Sequence, residues 1–183
     1  MKLLPKPVCL LRTVMPWRRR RADIRPAVRE ALAVGGLDEA VRLLNRWVPH
    51  RYTAVHRLVI DQMASLAIHD VKGGDVTPLQ VTIDRGHSFC QYAIADGFFI
   101  TENSANDPRL NGHVAQGKIA AYHGVALLDQ SGQAFGALCH FDPDIRFLSS
   151  RAFEEMNLAA VEIACYLSQQ SAAGTHAPPN VSP

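Results

Sequence analysis

After Asp23 and Pro26, which suit a helix start, apolar side chains recur at helical spacing through Val28, Leu32, Leu37, Val41, Leu44 and Trp47. Gly35 and Gly36 interrupt that stripe, so the pattern predicts a helix, a short break and a second helix that ends by Pro49. The chain then turns β-rich: strands are expected over 52–60 and 65–71, and a third at the alternating Leu79, Val81 and Ile83 beyond the Gly73-Gly74-Asp75 turn. Ser88 suits the cap of a short helix running to Ala95, with Phe89, Tyr92 and Ala93 on one side. A short apolar strand over 98–101 precedes a loop over 103–112, where Asn106-Asp107-Pro108 resists both regular structures. Apolar runs at 122–128 and 135–141 flank Asp129-Gln130-Ser131-Gly132 as the arms of a hairpin. Ser149 or Ser150 caps a long final helix, with Glu154 and Glu155 in its first turns and a buried stripe of Phe153, Met156, Ala160, Ile163 and Leu167.

This order predicts an α+β domain: one antiparallel sheet of five or six strands, the terminal helices on one face and the irregular middle over the other. At 183 residues and 48% hydrophobic, the chain is long enough for one core, expected over 26–170. No run approaches the roughly 18 apolar residues of a membrane helix. The first 25 residues carry eight Lys and Arg against Asp23 alone, so the net charge of +2 divides into a basic leader and an acidic body. That distribution argues against a nucleic-acid-binding domain, although the leader could touch phosphates or a membrane surface. The leader imitates a secretory signal only loosely, because Pro5, Lys6, Pro7 and Arg12 break its apolar stretch and the arginines at 18–21 follow it. A cytoplasmic protein with a solvated leader and a disordered tail over 171–183 is expected. Cys9, Cys90, Cys139 and Cys165 show no paired spacing, which predicts free thiols, mostly buried.

Several segments in order then carry a resemblance: Arg85-Gly86-His87-Ser88-Phe89-Cys90, Phe99-Ile100-Thr101, Asn106-Asp107-Pro108-Arg109-Leu110, Tyr122-His123-Gly124-Val125, Gly136-Ala137-Leu138-Cys139-His140-Phe141-Asp142, and Leu148-Ser149 before the last helix. Together, over roughly 37–168, they resemble the GAF domain family, and in particular small stand-alone bacterial GAF proteins whose strand ends in Leu-Cys-His-Phe-Asp. Ala126 stands where relatives often carry proline. The resemblance implies a GAF-like sheet with a ligand pocket between it and the irregular segment, and terminal helices free to pair with a second subunit. It does not name a ligand or cofactor, since one fold hosts many functions.

The residues themselves place pocket-like chemistry in the same stretch, and Ser88, Phe89, Cys90, Gln91, Asp107, Arg109, Tyr122 and His123 are the candidate ligand-binding side chains. Five of them have a structural alternative: Ser88 as a cap, Phe89 and Cys90 as core filling, and Asp107 with Arg109 as a turn cap and a solvated side chain or internal ion pair. A metal shared by His87 and Cys90, completed by His123, Cys139 or His140, lacks the tight paired spacing of structural zinc, so no metal site is expected. Cys139 and His140 point to opposite faces of a strand and do not easily join one site.

The main reading is a small-molecule sensor acting through a partner protein or a rearrangement of a homodimer, with no DNA-binding, kinase or cyclase segment after the domain. The alternative is a thiol redox enzyme akin to the free methionine sulfoxide reductases, centred on Cys90. Against it, nothing between 91 and 138 supplies a resolving cysteine, and Ser-His-Asp chemistry has no nucleophile-elbow sequence. A third reading is a scaffold whose pocket is packed shut by Phe89, Phe98, Phe99 and Tyr122.

Overall fold

A computed structural model describes residues 23–79 and 82–174; most of the basic leader with Cys9, the expected strand position Val81, and the tail from 175 lie outside the described residues. Helix α1 spans Arg25–Asn45 and breaks where the sequence places the interruption, at Gly36, whose φ of 65° is left-handed and open to glycine at no steric cost. Strands β1 (Tyr52–Val59) and β2 (Gln62–Asp70) form a tight hairpin that places Ile60 at φ 57°. The third strand, β3, is only Thr82–Asp84 and pairs with the start of β2. Leu79 is not part of it: Pro78, which has no N–H to give a ladder, sits in a 3₁₀ turn over Thr77–Leu79.

Helix α2 (Cys90–Asp96) follows a 3₁₀ turn and leads into β4 (Phe98–Thr101). Two more 3₁₀ turns cross the face before β5 (Ala121–Leu128) and β6 (Ala134–Asp142), which make the expected hairpin. Helix α3 (Ser150–Gly174) runs four residues past the expected end of the domain, into the segment expected to be disordered. The Ser149 hydroxyl accepts the Ala152 N–H at its start, and Glu155 pairs with Arg151 one turn on; the first turn itself holds no acidic residue.

The six strands form one antiparallel sheet in the order β3-β2-β1-β6-β5-β4. One face carries α1 and α3, and its core is Val28, Leu32, Val41 and Leu44 against Val55, Leu127, Leu138, Met156, Ile163 and Leu167. Trp47 of the predicted stripe stays 47% exposed beyond the helix end. The other face carries α2 and the crossover, with Met63, Ile68, Phe89, Cys90, Phe99, Leu110, Tyr122 and Cys139 in its core. A bulge between Val55 and His56 leaves Leu66 as an extra residue in β2, so Met63 and Ile68, five apart, share that face. No helix among the described residues is long and apolar enough to cross a membrane.

Candidate functional site

A cavity of about 170 Å³ lies between the sheet and the start of α2. Its apolar walls include Ile68, Leu79, Ile83, Phe89, Ile119 and Phe141, and into it converge His56 from β1, Ser88 and Cys90 from the entry to α2, Tyr122 from β5 and Cys139 from β6. The Ser88 hydroxyl accepts the Cys90 N–H at 3.2 Å, so it serves as a helix-entry cap while remaining on the cavity wall. The Tyr122 hydroxyl donates to the Cys90 sulfur at 3.2 Å. Its ring lies over Gly124, where any Cβ would overlap the tyrosine itself.

The sulfur of Cys90, the sulfur of Cys139 and a ring nitrogen of His56 all lie within 4.8 Å of one another. Both thiols are buried and free, as is usual for unpaired cysteine, whereas Cys165 on α3 is free and exposed. Within the pair one thiol ionises first. A hydrogen bond with Cys139 draws that charge to Cys90, whose pKa falls below the ordinary thiol value, while Cys139 is pushed well above it by the same bond and by burial. Burial, reinforced by the neighbouring sulfurs, also pushes the Tyr122 hydroxyl up, so it stays protonated and able to donate.

Of the eight expected ligand-binding residues, Ser88, Phe89, Cys90 and Tyr122 line this cavity and four do not. Gln91 turns away to donate to the Gly86 carbonyl and to bridge to His113, tying α2 to the crossover. Arg109 forms a two-pronged ion pair with Asp107, donates to the Ile100 carbonyl and lies 4.6 Å from the Phe99 ring centre. The Arg109 guanidinium in turn holds the nearly buried Asp107 carboxyl at a pKa of about 2. These two side chains satisfy each other.

His123 is on the opposite face, because it follows Tyr122 in a strand and strand neighbours alternate. There its Nδ1 lies 3.0 Å from His50 Nε2, beside His140, whose Nδ1 meets the Thr53 hydroxyl at 2.8 Å. Burial lowers the pKa of His123 to about 4 and that of His50 to about 3, which keeps both rings neutral. The trio is part of the helix-face packing.

The sequence offers Cys139 only as one of three alternative donors beside His87 and Cys90, and nothing in it points to His56. Cys139 is the second thiol whose absence between 91 and 138 counted against redox chemistry, and β6 brings it to the cavity from outside that interval. The aromatic closure expected of a scaffold is partial. Phe89, Phe99 and Tyr122 pack together, but Phe98 is 53% exposed and meets Phe153 on the other side.

No protein-family model matches the chain, and no curated protein matches it in sequence. Solved structures do match in fold. The GAF domain of an Acinetobacter phosphoenolpyruvate-protein phosphotransferase superposes with a TM-score of 0.67 at 12% identity, over 84% of this chain and 96% of that one. The chromophore-binding domain of an unusual bacteriophytochrome from R. palustris matches at 0.66 and 12%, over 83% of this chain, which spans only 61% of that protein. The free methionine-R-sulfoxide reductase from Neisseria meningitidis, solved with its substrate, matches at 0.64 and 13%, over 82% and 89%. The chain therefore carries an α+β domain of GAF-like fold. At these identities the likeness establishes the fold, which is shared by a GAF domain of a phosphotransferase, a chromophore-binding domain and a sulfoxide reductase.

Proposed function

We propose that this protein is a sensory or regulatory module that binds one small molecule in the cavity between the sheet and α2. The observation that carries this reading is the convergence of six polar side chains, His87 among them, from three strands and the turn that enters α2 on an otherwise apolar cavity. Its volume is below the roughly 300–1,000 Å³ of drug-sized sites and close to the roughly 150 Å³ that accommodates a benzene-sized molecule. The ligand class is therefore a compact molecule with an apolar body and one or two polar atoms.

A larger open groove of about 550 Å³ runs along α3 beside Ala126, Leu128 and Val161 on the helix face. With exposed Val34, Leu158 and Val161 it supports pairing of α1 and α3 with a second copy in a cytoplasmic homodimer. Ligand binding would bias that packing, or a partner protein's contact with it, to the extent that the two states differ in affinity.

Native mass spectrometry of freshly purified protein tests the reading. The expected result is a small extra mass, lost on denaturation and missing from the cavity-filling variant Ile119→Trp. Retention of the same mass by a folded Ile119→Trp protein places the molecule elsewhere and overturns the assignment. The subunit number comes from the same spectrum.

The proximity of Cys90 and Cys139 favours a second reading, the thiol redox enzyme. In it the two thiols give up two hydrogens, the oxygen of a sulfoxide leaves as water, and a thioether and a disulfide remain. Turnover of free methionine sulfoxide with dithiothreitol as reductant, abolished by Cys90→Ser and by Cys139→Ser, would establish it.

A further inference from the structure

We infer that His56, Cys90 and Cys139 form a zinc site whose fourth position opens into the cavity. This rests on the reading of the cavity as the place where a small molecule is received, and it names what that molecule would meet.

Three soft or borderline donors come from three separate elements, β1, α2 and β6, and all three point into one space. Among the described residues they are the one set of three or more His, Cys, Asp or Glu side chains with donor atoms this close. Their spacing of at most 4.8 Å is near what tetrahedral zinc requires, because bonds of about 2.3 Å to sulfur and about 2.0 Å to nitrogen place ligand atoms roughly 3.5–3.8 Å apart. Two thiolates and an imidazole select zinc over the hard, oxygen-seeking calcium and magnesium. With two thiolates the bound divalent cation is neutralised, which suits a buried site among apolar walls.

Three protein ligands leave one coordination position, as in zinc sites that bind an exchangeable water or substrate. Here the donors line the 170 Å³ cavity, so that position faces the space the ligand would fill. The Tyr122 hydroxyl already donates to the Cys90 sulfur and supplies an outer-shell partner that fixes its orientation. The ligand class follows: a compact molecule whose polar end is a zinc-binding atom, such as an imidazole, azide or small carboxylate.

The test uses the full chain, reduced with a phosphine and stripped of metal, titrated with zinc against a chromogenic chelator and separately with cobalt. The expected result is one zinc per chain. Affinity should fall by more than about a hundredfold in Cys90→Ser, Cys139→Ser and His56→Ala, and be unchanged in the double variant Cys9→Ser/Cys165→Ser. Cobalt should give sulfur-to-metal charge-transfer bands that the Cys90 and Cys139 variants lose. Far-UV circular dichroism identifies any variant that fails to fold, and the cobalt bands of the wild type stand without it. No stoichiometric zinc binding, or binding undiminished in folded Cys90→Ser and Cys139→Ser, overturns the assignment. Fragment binding to metal-free protein, followed at the cavity amides, separates the two ideas: fragments that bind where zinc does not leave the cavity reading standing and remove the metal.

Discussion

Cys90, the first residue of α2, and Cys139, in the middle of β6, hold their sulfurs within 4.8 Å of each other across the boundary between helix and sheet. The contact makes the cavity a junction. Anything that bonds to either sulfur, or wedges between them, acts on the position of α2 relative to the sheet, and α2 is a short helix held mainly by Phe89, Cys90 and Ala93.

The Tyr122 ring depends on a bare backbone beside it. In Gly124→Ala the new methyl would fall within 2.7 Å of the ring carbons Cε1 and Cζ, and the buried ring has little room to retreat. The substitution should cost about 1–3 kcal/mol by overpacking. It should also move the tyrosine hydroxyl off Cys90. Urea unfolding gives the first quantity, and the shift of the Cys90 amide resonance reports the second.

Stability should fall as the solution is acidified from pH 6.5 towards 4. His50 and His123 have folded-state pKa values of about 3 and about 4 against 6.5 for the free side chain, so in that window the unfolded chain binds protons that the folded one refuses. Each contributes a slope of about 1.4 kcal/mol per pH unit, with stability highest above pH 6.5. Nearby Asp142 and Arg146 act on His50 in opposite directions, raising and lowering its pKa, and neither outweighs burial. Urea midpoints measured at half-unit steps from pH 7.5 to 4.5 check this; a flat profile between pH 7 and 5 contradicts it.

Arg109 and Asp107 are expected to stabilise the crossover without touching the ligand. Arg109→Ala should lower stability by about 1 kcal/mol, since the pair is half in solvent on the arginine side and part of the loss is the packing on Phe99. Asp107→Ala should cost more, because it also removes the acceptor for the Arg109 N–H in the 3₁₀ turn. Ligand affinity should be unchanged in Arg109→Ala. A tenfold loss there would restore the residue to the binding site.

Ile60 sits at φ 57° at the tip of the β1–β2 hairpin, 95% exposed. A β-branched side chain is strained in that region and gains nothing from packing here. Ile60→Asn should raise stability by about 1 kcal/mol, visible as a higher melting temperature with no change at the cavity.

Much of this fold is written in local pattern. The Gly36 break, the hairpin at Asp129–Gly132 and the buried stripe of α3 each depend on residues close in sequence, and each lies where periodicity places it. His123 could have been set aside on the same ground, because Tyr122 and its neighbour in a strand cannot face one cavity. The site was only half legible for the opposite reason. His56 meets the cysteines through the register of β1 on β6, and the bulge beside it shifts the phase of β2, so no spacing in the sequence announces the cluster. Pro78 marks a limit of another kind, where an alternating pattern yielded to a residue that cannot donate to a sheet.

The proposed ligand site is the cavity between the sheet and α2. Its most direct test is an amide-resolved NMR titration of wild type and Ile119→Trp with imidazole, azide, benzoate and small phenols. The expected result is that at least one probe shifts the amides of His56, Ser88, Cys90 and Tyr122 in the wild type, and that these shifts vanish in the filled variant. No probe perturbing those amides, or identical shifts in a folded Ile119→Trp protein, contradicts it.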